Sequence, residues 1–103
     1  MMEIHDLTGR LRRCMAAGLL SWVDLGHWFE LPRATIRAWV EDARLPRESR
    51  LPEIDARLNL LETVIHEGAF PVPHALSQHR RPTYIREQYH AAIDRGVSAS
   101  ATR

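Results

Sequence analysis

The sequence contains no lysine: all 14 of its basic side chains are arginine. A GC-rich coding genome produces that bias by itself. It also makes every cation a planar fork that can grip a phosphate or a guanine edge with two hydrogen bonds. There is one cysteine, Cys14, so no disulfide can close within the chain. No apolar run approaches the ~18 residues that a bilayer-spanning helix needs. Residues Met1 to Asp6 lack the basic stretch and apolar block of a secretion signal. These absences together lead to the expectation of a cytoplasmic protein without a membrane partner.

Signatures of catalysis and metal binding are missing as well. The six histidines, His5, His27, His66, His74, His79 and His90, include no His-x-x-x-His pair, and Cys14 has no second thiol nearby. A zinc site needs about three or four neighbouring ligands. There is no glycine-rich phosphate loop, nucleophile elbow or metalloprotease motif. The sequence therefore implies no enzyme, no metal and no cofactor. Trp28, Tyr84 and Tyr89 read as core or interface aromatics, and Arg80-Arg81 as an exposed basic loop ahead of Pro82.

What is present fits one small helical protein. With 103 residues, 45% of them hydrophobic, the chain can bury a single core. No segment alternates as a strand does. Leu7, Leu11 and Met15 recur every four residues and predict a first helix over Thr8–Gly18. Ser21-Trp22-Val23-Asp24 matches a capping box, with aspartate where glutamate is usual, and starts a second helix running to about Glu30. Leu31-Pro32 ends it, because the residue before proline disfavours the helical region. Pro32 then suits the first turn of a third helix, predicted from Arg33 to about Arg44 and stopped by Leu45-Pro46.

A fourth helix is predicted from Leu51 or Pro52 to Glu67, with Gly68 as its stop. Phe70-Pro71-Val72-Pro73 is expected to be extended, with a short helical turn over His74–His79. A last helix over Pro82–Arg95 should place Tyr84, Ile85, Tyr89, Ala92 and Ile93 on one face. The tail, residues 97–103, is rich in Ser and Ala and reads as disordered.

The net charge of +1 does not single out a nucleic-acid partner. Its distribution is more informative. Between residues 33 and 50, Arg33, Arg37, Arg44, Arg47 and Arg50 face only Glu41, Asp42 and Glu48. The second and third helices with their short turn have the spacing that lets one helix enter a DNA major groove. Gly26 is the small residue that a steep crossing needs. Leu25, Phe29, Ile36 and Trp39 form the apolar wedge between the helices, and Leu31 plugs the turn.

The stretch Leu25 to Trp39 resembles the helix-turn-helix of bacterial and phage repressors and of homeodomain-like proteins. It departs from them at Glu30, where the family usually has glycine at positive φ; a side chain there costs roughly 1 kcal/mol. The resemblance implies an all-α fold: a three-helix DNA-binding domain over residues 1–46, then an amphipathic helix and a C-terminal helix in an interaction region over 50–96. It also implies a bacterial or phage-infected cell, double-stranded DNA as partner, and Arg33 to Asp42 as recognition helix. Pro32, Arg33, Ala34, Arg37 and Ala38 fall on the base-reading positions. Thr35, Arg44, Arg47, Arg12 and Arg13 are the phosphate candidates, which set register without reading sequence.

Leu51, Ile54, Leu58, Leu61 and Ile65 are spaced 3, 4, 3 and 4 residues apart, as in a heptad seam. That pattern leads to the expectation of a homo-oligomer, a dimer or a ring. Three functions are compatible with this reading. The first is a sequence-specific transcription regulator. The second is the DNA-recognition subunit of a larger packaging machine, because the order of elements loosely resembles phage small terminase subunits. The third is a protein-binding adaptor whose helix-turn-helix does not touch DNA.

Overall fold

A computed structural model describes residues 3–96 and contains only helices and loops among them. A 3-10 turn at Ile4–Asp6 leads into α1, Leu7–Gly18. α1 ends where Leu19 turns left-handed (φ 51°) and the Leu20 amide donates to the Met15 carbonyl. α2, Trp22–Phe29, starts at the expected capping box: the Asp24 amide donates to Ser21 Oγ at 3.2 Å, and the Ser21 amide to Asp24 Oδ2 at 2.8 Å. α3, Arg33–Val40, follows Pro32. α4, Leu51–His66, and α5, Arg81–Asp94, each follow a 3-10 turn and carry proline in their first turn.

α3 is shorter than the sequence suggests. Asp42 adopts the left-handed conformation (φ 58°), and the Ala43 amide closes the helix by donating to the Ala38 carbonyl at 2.9 Å. Aspartate tolerates that conformation better than most residues, so the stop comes before Leu45-Pro46. Phe70–Pro73 lies outside regular structure, with a cis bond between Phe70 and Pro71, and a turn at Gln78–Arg80 precedes α5. The tail expected to be disordered lies outside the described residues.

One hydrophobic core joins all five helices. Leu7, Leu11, Leu25, Ile36, Leu58, Leu61 and Ile85 are among its almost fully buried members. Trp28 sits at its centre, edge-on to Phe70 at 6.2 Å and to Tyr89 at 5.2 Å, and Tyr84 in turn packs edge-on to Phe70 at 5.9 Å. Residues 50–96 thus complete the core begun by residues 1–46 rather than building a second one. On α5 the predicted face is mostly inside, but Ile93 is exposed.

The heptad stripe on α4 is spent within the chain. Leu51, Ile54, Leu58 and Leu61 are buried against α1, α2 and their neighbours, and Ile65 is half-buried against the same cluster. The stripe therefore packs within the chain rather than standing free as a seam for a second copy. A two-heptad stripe looks the same whether it faces a partner or its own domain. Here α1 and α2 leave an apolar side for it to cover.

Two half-buried arginines at helix junctions strengthen this packing. Arg10 on α1 binds three side chains of α4: Asp55 at 2.8 Å, Asn59 at 2.7 Å and Glu62 at 2.6 and 2.9 Å. Arg81 is not in an exposed loop. It is the first residue of α5, and its fork grips both oxygens of buried Asp24 at 2.8 and 2.9 Å while donating to the Leu19 carbonyl at 3.0 Å. Burial pushes the Cys14 thiol up to about 11, so it is a neutral core residue near pH 7.

Candidate functional site

The α2–turn–α3 unit depends on two backbone features. Gly26 faces the turn, and a Cβ added there would lie 2.9 Å from the Leu31 carbonyl oxygen. Glu30 takes the left-handed conformation (φ 58°, ψ 45°) that the turn requires. The Glu30 and Leu31 amides both donate to the Gly26 carbonyl. Leu25, Phe29, Ile36 and Trp39 are buried as the wedge, with Phe29 edge-on to Trp39 at 6.4 Å, and Leu31 packs against them half-buried.

Side chains from outside the unit hold its helix ends. A helix leaves its last carbonyls without intrahelical donors. At the end of α3, Thr8 Oγ1 donates to the Trp39 carbonyl at 2.6 Å, and Arg12 Nε to the Val40 carbonyl at 2.9 Å. At the end of α2, Arg57 of α4 donates to the Trp28 carbonyl at 2.7 Å, lies 3.6 Å from the Glu30 carboxylate, and stacks on Tyr89 with its Cζ 4.2 Å from the ring centroid. The end of α3 is therefore held from α1, and the end of α2 from α4.

The outward side of α3 presents Arg33, Ala34 and Arg37, all exposed, with Ala38 half-buried and Pro32 exposed just ahead of them. Pro32, Arg33, Ala34, Arg37 and Ala38 thus lie along one edge of the molecule. They differ in how free they are. Arg33 has no ion-pair or side-chain hydrogen-bond partner among the described residues. Arg37 stacks on Trp22, its Cζ 4.5 Å from the ring centroid, and its Nε donates to Glu41 at 3.0 Å.

The phosphate candidates separate into two groups. Thr35, Arg44 and Arg47 line one groove of about 400 Å³ beside α3, together with Ser49 and Arg50, over a floor that includes Trp39 and Pro46. Arg50 and Ser49 were not singled out from the sequence, although Arg50 belongs to the same basic run. Among the described residues its carboxylate partner is Glu53, at 3.4 Å on the surface. Arg12 stands at the end of α3 as a cap. Arg13, one residue on and so about 100° further round α1, borders a different groove with Cys14, Glu62 and His66. Arg13 is therefore not brought together with the others.

The arginines also divide by pairing. Arg10, Arg37, Arg50, Arg57, Arg81 and Arg95 all face carboxylates. Among the described residues, the side chains of Arg13, Arg33, Arg44, Arg47 and Arg80 make neither a hydrogen bond nor an ion pair, and three of these five flank α3. The described residues contain no group of three His, Cys, Asp or Glu side chains placed to hold a metal. No helix among them is long and apolar enough to cross a membrane. No protein-family model, curated protein or solved structure matches this chain.

Proposed function

We propose that this protein binds double-stranded DNA by inserting the outward side of α3 into the major groove, and that it acts as a sequence-specific regulator. One observation carries the reading. The face of α3 turned away from the core bears small side chains, Ala34 and Ala38, bordered by arginines that no carboxylate among the described residues neutralises, Arg33 on one flank and Arg44 and Arg47 on the other. Small residues let a helix approach base edges closely, and a free guanidinium matches guanine O6 and N7. Arg33 is the residue assigned to base reading. Thr35, Arg44, Arg47 and Arg50 are assigned to the backbone phosphates, which position without specifying.

The test is selection of bound fragments from random duplex DNA, followed by anisotropy titration of the selected site. Arg33→Ala is expected to weaken binding to that site by ~1–3 kcal/mol and to relax preference at one base pair. Unchanged affinity and preference would remove Arg33 from the interface. A protein-binding adaptor is the second reading, favoured by the engagement of Arg37 with Trp22 and Glu41. Salt separates the two: DNA affinity falls steeply as salt rises because phosphate contacts release counterions. No measurable affinity at low salt would favour the adaptor.

A further inference from the structure

A helix lying in the major groove has a phosphate backbone on each side, one from each strand. Cations are therefore useful on both of its flanks. Around α3, successive residues step by about 100°, so Arg33 and Thr35 stand on opposite flanks of the face centred on Ala34 and Ala38. The Thr35 flank opens on the groove with Arg44, Arg47 and Arg50. Of the helix-turn-helix itself, the Arg33 flank has Arg33, Arg37 already engaged by Trp22 and Glu41, and a groove of about 380 Å³ running beside Gly26, His27 and Leu31.

The fold adds a second guanidinium to that groove from far along the chain. Arg86, on the second turn of α5, is exposed and lines the same groove as Arg33. Its Nη1 lies 3.4 Å from His27 Nδ1 on α2, and no carboxylate pairs with it among the described residues. The one acid lining this groove among the described residues, Glu30, is drawn to Arg57. α5 is held in place at its start by the Arg81–Asp24 fork, so Arg86 approaches the turn on a fixed support.

The geometry points to Arg86 as a second-flank contact to a DNA backbone phosphate, which makes the C-terminal helix part of the DNA interface. The inference rests on the DNA-binding reading and extends it to a helix outside the helix-turn-helix. A phosphate contact carries no sequence information, so its loss affects all duplexes alike.

The experiment measures anisotropy of the full chain on selected and on unrelated duplexes across a salt series. Wild type, Arg86→Gln, Arg86→Lys and Arg95→Gln are compared, with circular dichroism of each to show that it is folded. Arg95 lies at the far end of α5, paired with Glu67 at 2.9 Å, and serves as a charge-matched control. Arg86→Gln is expected to weaken binding to every duplex by a similar factor and to make the slope of log affinity against log salt shallower by about 0.9, the loss of one phosphate contact. Arg86→Lys should recover the slope, and Arg95→Gln should leave it unchanged. Binding by wild type with an unaltered slope in Arg86→Gln overturns the role of Arg86 alone, as does an equal effect from Arg95→Gln. A wild-type chain that binds no duplex at low salt overturns the DNA reading and this inference together.

Discussion

Gly26 is the residue on which the crossing of α2 and α3 turns. A methyl group there would meet the Leu31 carbonyl oxygen at 2.9 Å, and that oxygen belongs to the backbone of the turn, which cannot rotate aside as a side chain can. Gly26→Ala is therefore expected to cost about 1–3 kcal/mol, the range for overpacking a tight contact, and to lower the urea midpoint accordingly. Gly9 in α1 is the matched comparison. Its added Cβ would meet only the flexible end of Arg13, at 3.4 Å. There Gly9→Ala should raise stability by about 0.5–1 kcal/mol, because alanine loses less backbone entropy in a helix. Equal effects from the two substitutions would contradict the close approach at position 26. Glu30 shows the opposite choice: a side chain is kept at φ 58° where glycine would be unstrained. The nearby Arg57 offsets part of that strain, since its guanidinium lies 3.6 Å from the Glu30 carboxylate.

At the scale of elements, Asp24 connects three helices. Its carboxylate caps α2 through the Ser21 amide and receives the Arg81 fork, which also holds the Leu19 carbonyl at the end of α1. Burial by itself would raise the pKa of this carboxyl, but the hydrogen bonds from Arg81 and Ser21 outweigh it and hold the group below the ordinary aspartate value. A carboxyl with a depressed folded pKa contributes stability that is fully present above its unfolded value near ~4 and is lost as pH falls through the folded value. Urea unfolding between about pH 6 and pH 2 should therefore show stability declining on the acid side. In Asp24→Asn that part of the decline should be absent, from a starting stability already lower at neutral pH. An acid limb of unchanged size in the variant would show that other carboxyls cause it. Ser21, Asp24 and Pro32 made the starts of α2 and α3 legible in the sequence, because caps and prolines act within a few residues. The end of α3 was less legible, since Asp42 stops it through a backbone conformation to which its side chain gives only a weak preference. Arg10, Arg57, Arg81 and Arg86 could not be assigned, because their partners lie about 30 to 60 residues away in sequence. For the same reason the sequence marks Arg33 and Arg44 as cations but does not tell which arginines remain unpaired.

For the whole molecule, the decisive feature is that α4 closes the core. The stripe from Leu51 to Ile65 reads equally well as a seam for a second copy, and its burial inside one chain removes the basis on which a dimer or ring was expected. The two arrangements predict different outcomes for Leu58→Asp. Leu58 has no exposed surface. Removing a buried leucine side chain costs about 2–5 kcal/mol, and a carboxylate left without a partner in the core adds several more. Small domains have about 5–15 kcal/mol in total, so the variant should be unfolded at 25 °C, with no cooperative helical melt and an expanded size in gel filtration. Leu58→Ala, which brings only the cavity, should keep the fold and melt at lower temperature. If α4 instead faced another copy, Leu58→Asp would give a folded, cooperatively melting chain at a fraction of the wild-type mass. Light scattering with circular dichroism on the two variants separates these cases, and a folded Leu58→Asp monomer would show that α4 is an interface rather than one wall of a shared core.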